Sequence, residues 1–147
     1  MIELGNEKER VLLVGVSTFG QELTESSLDE LSELAKTAGA ETAGRLIQNR
    51  EQVHPGTYVG KGKIEEIKDM LWETEATGIV CDDELSPAQM KNLQDELDVK
   101  VMDRTLLILD IFAARASTSE GKIQVELAQL KYRQTRLTGF GTALSRL

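Results

Sequence analysis

Several residue types that build common active sites are scarce in this sequence of 147 residues. A single cysteine, Cys81, excludes an internal disulfide and a zinc site made of cysteines. A single histidine, His54, excludes most histidine-ligated metal sites and leaves one imidazole as a candidate base. No apolar run approaches the roughly 18 residues that a membrane-spanning helix requires. The polar, acidic start differs from a secretory signal, so we expect a cytoplasmic protein.

Charge is abundant, and its two signs are unevenly distributed along the chain. Residues 1–103 carry 10 Lys and Arg against 22 Asp and Glu, whereas residues 104–147 carry 7 against 3. The two parts therefore have net charges of −12 and +4, which give the overall −8. We expect the first part to repel nucleic acid and the second to tolerate a phosphate backbone. A solvated helix face explains the same basic residues equally well.

Hydrophobic patterns predict an α/β fold, with a small four-stranded parallel sheet flanked by helices. The strands are predicted at 10–16, 43–50, 79–81 and 99–102. Amphipathic segments between them predict three helices. A capping box of Ser27 and Glu30 is predicted to start the first helix, and one of Ser86 and Gln89 the third. Each connection is long enough for a helix, so parallel pairing with right-handed crossovers is expected.

The rest of the sequence predicts an antiparallel pair of long helices. Asp103 is the predicted cap of the first helix, and residues 117–121 separate it from a second helix over about 122–136. The first helix is apolar nearly all round, so we expect one side to meet the sheet and the other to meet its partner helix. The predicted organisation is an α/β domain at 1–103, a helical hairpin at 104–137 and a glycine-containing linker at 138–147.

Two loops are candidates for chemistry, and each has a structural alternative. Residues 57–63 (TYVGKGK) open a helix with two glycines and two lysines, which suits a phosphate group. Their spacing departs from the phosphate-loop pattern and the hydroxyl is missing, so a turn that needs glycine is the alternative. The candidate nucleotide-binding residues are Gly60, Lys61, Gly62 and Lys63. Three carboxylates at 82–84 follow a predicted strand, where α/β sheets bind ligands, although they equally suit a capped loop.

The remaining candidates are single side chains and the basic part of the chain. His54 precedes a proline, and no serine or cysteine nucleophile stands in a recognisable motif, so a catalytic triad is unsupported. Cys81 lies on an apolar strand and is interpreted as a core thiol. The candidate RNA-contacting residues are Arg115, Lys122, Lys131, Arg133, Arg136 and Arg146. Composition and spacing alone identify no catalytic residue and no metal site.

Several long and unusual strings resemble the amino-terminal part of the HflX-type GTPases. They are 57–66 (TYVGKGKIEE), 83–89 (DELSPAQ), 103–105 (DRT) with 108–113 (ILDIFA), 115–116 (RA) and 124–132 (QVELAQLKY). The resemblance runs from about residue 10 to the end, so it covers nearly all of the chain. One departure is visible, because the family usually has Leu-Pro where this chain has Gln134 and Thr135.

The resemblance implies a module of a ribosome-associated, Ras-like GTPase. In that family an α/β domain and two long antiparallel helices lead into a G domain that holds GTP and Mg²⁺. The resemblance also implies binding to the large ribosomal subunit and its RNA, with ribosome splitting or rescue under stress. Since no phosphate loop is present, we expect a fragment without GTPase activity of its own. Its partners would be ribosomal RNA and its own G domain, and an exposed apolar hairpin face would allow weak self-association.

Two other functions stay open on the sequence alone. The first is a domain that binds ATP or GTP in its own right, with residues 60–63 as its site. The second is a regulatory domain that docks on the G domain and slows hydrolysis.

Overall fold

The computed structural model describes residues 8–136, which form one sheet and five helices. The strands are β1 (Glu9–Ser17), β2 (Ala40–Asn49), β3 (Gly78–Cys81) and β4 (Lys100–Asp103). The helices are α1 (Gln21–Thr37), α2 (Lys61–Thr74), α3 (Pro87–Leu97), α4 (Arg104–Arg115) and α5 (Ser119–Arg136). Strands and helices alternate from β1 to β4, which confirms the α/β prediction.

The four strands pair in parallel, in the order β2-β1-β3-β4. The central strands β1 and β3 are buried over most of their length, as their short apolar runs predict. The chain turns to one side after β1 and to the other side after β3. Helix α1 therefore covers one face, and α2 and α3, which contact each other, cover the other. The carboxyl ends of β1 and β3 consequently border a crevice.

The hydrophobic core lies on both faces of the two central strands. Leu12 and Leu13, adjacent on β1, are both fully buried and point to opposite faces. The first four helices add side chains to this core, namely Leu28 and Leu31, Ile67, Leu93 and Leu106, while α5 adds only the partly buried Tyr132. A fully buried aliphatic side chain contributes about 1.5–3 kcal/mol. The sheet and its covering helices therefore hold most of the stability of the described part.

The start of the first helix was wrongly predicted. Helix α1 begins at Gln21, so Ser27 lies inside it, and the Ser27 hydroxyl accepts a hydrogen bond from Arg104 instead of capping. Gly20 is the N-cap residue, and its φ of 137° favours glycine. Thr24 is buried one turn before Leu28, so packing on the sheet extends the helix beyond the local capping signal.

The other predicted caps are confirmed. Ser86 accepts from the Gln89 amide at 3.1 Å, and the Gln89 side chain accepts from the Ser86 amide at 2.8 Å. Asp103 accepts from the Leu106 amide at 3.0 Å at the start of α4. These short-range bonds follow from local sequence, so the pattern predicted them correctly.

Helices α4 and α5 contact each other, and α4 also contacts α1, β3 and β4. This confirms that α4 meets the sheet on one side and α5 on another. It is less buried than predicted, because Leu107 and Ile111 are buried but Phe112 is 56% exposed. The antiparallel arrangement and the domain boundaries stay predictions, and the predicted linker lies outside the described residues. Within residues 8–136, no helix combines the length and the apolar character needed to cross a membrane.

Candidate functional site

The carboxyl ends of β1 and β3 open into a crevice of about 360 Å³. Thr18, Thr24, Asp82 and Asp83 are among the residues that line it. The predicted carboxylates after β3 thus lie where open α/β sheets bind ligands. Their hydrogen-bond partners show what they do there.

Asp82 is held by Arg104, the first residue of α4. Arg104 Nη2 donates to Asp82 Oδ1 at 2.7 Å, and Arg104 Nε donates to the Asp82 carbonyl at 3.2 Å. The same guanidinium reaches the Ser27 hydroxyl at 3.0 Å and Glu30 at 2.5 Å. Burial lowers the pKa of Arg104, but hydrogen bonds and charge from Asp82 and Glu30 raise it by more. Arg104 thereby ties α4 to α1 and to the end of β3.

Asp83 accepts a hydrogen bond from the Tyr58 hydroxyl at 2.5 Å. Tyr58 is 1% exposed and has a φ of 67°, a left-handed conformation that costs a non-glycine residue about 1–3 kcal/mol. Burial, followed by the nearby Cys81 and Asp83, raises the pKa of Tyr58 well above its ordinary 10.0. The phenol is therefore a permanent donor to Asp83 at neutral pH.

His54 stabilises the turn that carries Tyr58. Its Nδ1 accepts from the Gly56 amide at 3.0 Å and from the Thr57 amide at 3.2 Å. The backbones of His54 and Tyr58 also form an antiparallel bridge. An imidazole nitrogen that accepts two backbone bonds shapes the loop, which is a structural role.

The loop of Gly60, Lys61, Gly62 and Lys63 forms the first turn of α2. The Gly60 amide already donates to Gln48 Oε1 at 2.8 Å, and Lys63 Nζ lies 3.1 Å from Glu66 Oε2. A Cβ at Gly60 would lie 3.0 Å from Arg50 Nη1, the far end of a flexible side chain, and φ is an ordinary −77°, so neither packing nor backbone conformation requires glycine there. Lys61 is exposed and has no ion pair with a residue in the described part. These contacts fit the alternative of a packed turn, and phosphate binding stays a prediction.

A buried carboxylate, Asp103, joins the sheet to both carboxyl-terminal helices. It is fully buried. Its Oδ2 accepts from the Leu85 amide at 2.9 Å and from the Tyr132 hydroxyl, and its Oδ1 accepts from the Leu106 amide. The bond to Tyr132 anchors α5 to the end of β4. A second contact, from Gln129 Nε2 to Asp110 Oδ1 at 2.8 Å, joins α5 to α4.

The predicted RNA-contacting residues lie on α4 and α5 or beyond them. Arg115, Lys122 and Lys131 are exposed and form no ion pair with any residue of 8–136. Arg133 lies 3.8 Å from Asp110 and is partly neutralised. Arg136 ends α5, and Arg146 lies outside the described residues. The structure places Arg115 and Lys122 on either side of the turn between the two helices, and Lys131 about 13 Å further along α5.

Sequence reasoning missed the roles of Arg104, Tyr58 and Tyr132. The bonds from Arg104 to Ser27 cross 77 positions of sequence, and the bond from Tyr132 to Asp103 crosses 29. No local pattern reports such contacts, since caps and periodicity act within a few residues. Cys81 was interpreted correctly as a core thiol, because it is fully buried and burial raises its pKa.

No group of three or more His, Cys, Asp or Glu side chains within the described residues is placed to hold a metal ion. The two carboxylates of the crevice are occupied by Arg104 and Tyr58. The geometry therefore provides a packed polar network at the carboxyl edge of the sheet and an exposed basic surface on the helix pair.

Comparison with known proteins shows the family. The GTP-binding GTPase N-terminal pattern matches residues 25–113, and the GTP-binding GTPase Middle Region pattern matches residues 115–147. The GTPase HflX of Lacrimispora saccharolytica is 67% identical over 147 residues, which are 100% of this chain and 35% of that protein. The GTPase HflX of Escherichia coli is 44% identical over 138 residues, which are 94% of this chain and 32% of that protein.

A solved structure agrees with the fold. A GTP-binding protein of Sulfolobus solfataricus in complex with GDP has a TM-score of 0.67 at 27% identity, over 92% of this chain and 40% of that chain. The chain spans about a third of the length of the relatives that it matches. The chain belongs to the HflX-type GTP-binding GTPases, and it corresponds to their amino-terminal and middle regions.

Proposed function

We propose that this chain is the docking module of a cytoplasmic translational GTPase, and that it binds the large ribosomal subunit through α4 and α5. In this proposal the two helices form an antiparallel hairpin that approaches ribosomal RNA. The acidic sheet unit stays away from the RNA. Splitting or rescue of ribosomes under stress would be the task of the longer protein.

The separation of charge carries this proposal. Arg115, Lys122 and Lys131 are exposed cations without ion pairs among residues 8–136, and they lie on the two carboxyl-terminal helices α4 and α5. Residues 1–103 have a net charge of −12. Lysine and arginine on a protruding element contact phosphates favourably, whereas the acidic unit is repelled by them. The molecule is therefore polarised for contact with RNA through one end.

We infer that GTP and Mg²⁺ act in the part of the relatives that this chain does not span. The crevice carboxylates are engaged by Arg104 and Tyr58, and the Gly60 amide is engaged by Gln48. These residues do not fit a nucleotide phosphate with its magnesium ion. Hydrolysis is therefore assigned to the longer protein, and the G domain is proposed as a second partner of this module.

Co-sedimentation with purified large ribosomal subunits over a range of KCl concentrations tests the docking proposal. The test variant combines Arg115→Gln, Lys122→Gln and Lys131→Gln. Each lost phosphate contact should reduce the slope of log K against log [salt] by roughly 0.7–0.9, so the variant should lose about 2–3 in slope. Binding at low salt should fall by at least about tenfold.

A matched variant controls for net charge. It combines Lys8→Gln, Lys36→Gln and Lys100→Gln, which are three exposed lysines of the sheet unit. The change in net charge is the same, but the expected slope is that of the unmodified chain. Equal losses in the two variants, or no pelleting of the unmodified chain at any salt concentration, would refute docking through the helix pair.

A further inference from the structure

Trp72, the single tryptophan of the chain, is exposed to solvent near the end of α2. It is 86% exposed. It lines a groove of about 640 Å³ with Leu71, Glu73, Glu75 and Ala76, and we name this the Trp72 groove. A second hollow of about 270 Å³, lined partly by Leu97 and Val99, adjoins Trp72. An indole exposed between two hollows presents a large apolar surface that nothing in the described part covers.

The Trp72 groove lies away from the surface used in the proposed function. Ala76 precedes β3 and Val99 precedes β4, so the groove is at the amino-terminal edge of the sheet. Helix α4 begins at the opposite edge, directly after β4. None of the residues that line the groove or the adjoining hollow belongs to α4 or α5.

The rim of the groove is acidic. Glu73 and Glu75 line it, Asp69 lies one helical turn before Trp72, and Asp98 stands between the lining residues Leu97 and Val99. Within residues 8–136, none of these four carboxylates has an ion pair.

The cations near the rim are already engaged. Arg10 Nε donates to the Thr74 carbonyl at 3.2 Å, and its Nη1 pairs with Glu41. Lys68 lines the smaller hollow, but its Nζ is already shared between Glu65 at 3.3 Å and Glu96 at 3.8 Å. The groove thus combines an apolar centre with negative charge that the fold leaves unpaired.

We propose that the Trp72 groove binds a basic segment of a partner protein, in which lysine or arginine residues flank a leucine or isoleucine. The aliphatic side chain would cover the indole and bury it in the complex. Tryptophans that become buried in this way are enriched among the residues that carry most of the binding energy at protein interfaces. A flanking cation gains from the indole face and from the carboxylate rim. The same carboxylates repel a nucleic-acid backbone and an anionic membrane, so charge complementarity selects a basic protein segment.

Intrinsic fluorescence reports this binding directly, because Trp72 is the only tryptophan. Two synthetic peptides serve as probes, and both carry six lysines. One has two central leucines, and the other has serines in their place. The leucine peptide should shift the emission of the chain to shorter wavelength in a saturable manner. It should also bind at least about tenfold more tightly than the serine peptide.

Variants then locate the binding site, with affinity followed by the anisotropy of labelled peptides. Trp72→Ala should reduce the preference for the leucine peptide to less than about twofold. Phe19→Ala, which removes another highly exposed aromatic ring, should retain the full preference. Glu73→Gln with Glu75→Gln should weaken the binding of both peptides and reduce its dependence on salt.

The proposal is overturned if Trp72→Ala leaves the preference for leucine intact, or if Phe19→Ala abolishes it. It is also overturned if neither peptide shifts the emission. Self-association in sedimentation equilibrium that Trp72→Ala removes would then identify a second copy as the occupant. Binding of single-stranded RNA in competition with the leucine peptide would assign the groove to RNA and equally reject a protein segment.

Discussion

Replacement of Asp103 by Asn is the sharpest test of the network at the carboxyl edge of the sheet. The fully buried carboxylate accepts from the Leu85 amide, the Leu106 amide and the Tyr132 hydroxyl. An asparagine at this position retains one acceptor oxygen, which can still accept from the Leu106 amide and cap α4. Its amide NH₂ would face the Leu85 amide, and two donors cannot bond to each other.

The magnitude follows from the groups that lose a partner. A hydrogen bond to a charged acceptor contributes about 1.5–3 kcal/mol, and a buried donor left without an acceptor costs about 1–3 kcal/mol. The Leu85 amide loses its acceptor in the variant. The Tyr132 hydroxyl can rotate to accept from the new amide and recover part of its bond. We therefore expect Asp103→Asn to lower the free energy of unfolding by about 2–4 kcal/mol.

Urea unfolding followed by circular dichroism measures this change, provided that the slope with urea is unchanged. Tyr132→Phe removes one of the three bonds and should cost about 1–2 kcal/mol. Asp95→Asn is the matched control, because this exposed aspartate only pairs with Lys91, and its cost should stay below about 0.5 kcal/mol. If Asp103→Asn costs no more than Asp95→Asn, the network does not stabilise the fold as argued.

Two further predictions concern the core. In the folded chain the pKa of Cys81 is raised above its ordinary 9.0, and that of Tyr58 above its ordinary 10.0. Each group therefore contributes its full stabilisation below its ordinary pKa, and this contribution declines as pH rises beyond that value. The free energy of unfolding should fall from about pH 9 by up to about 1.4 kcal/mol per pH unit for each group. Cys81→Ala should remove the decline between about pH 9 and 10. If the decline is unchanged in that variant, it does not arise from the Cys81 thiol. Gly78→Ala should lower the free energy of unfolding by about 1–3 kcal/mol, because the new Cβ would lie 2.7 Å from the Lys100 carbonyl oxygen. Gly62→Ala is the control in the same urea assay. A Cβ there has nothing within 4 Å, so this change should be neutral or slightly stabilising.

The sequence predicted the sheet well because its signals are local. An apolar run such as the one in β1 is typical of a strand covered on both faces, and the capping box at Ser86 and the N-cap at Asp103 involve neighbours three residues apart. Parallel pairing of the strands then follows from connections that are each long enough for a helix. The same local logic failed at Ser27, because a capping pattern there competes with the packing of Thr24 and Leu28 on the sheet.

The polar network was beyond prediction for a related reason. Asp82 and Asp83 were correctly expected at the end of a strand, yet their partners Arg104 and Tyr58 are 22 and 25 positions away. Which cation meets which carboxylate depends on how α4 packs against α1. That packing depends on the shape of the whole core, so it cannot be predicted from residue spacing or from composition.

Arg104 and Asp103 join the basic helices of the chain to its acidic sheet unit. Arg104 attaches α4 to α1 and to β3, while Asp103 attaches α5 to β4 through Tyr132. Both residues lie at the junction where the acidic unit ends and the basic helices begin. A junction bonded at several points resists bending, so we expect it to hold the cations on α4 and α5 in place relative to the sheet. Loss of these bonds should therefore weaken proposed docking even where all the exposed cations remain, because binding would then have to order a hinge.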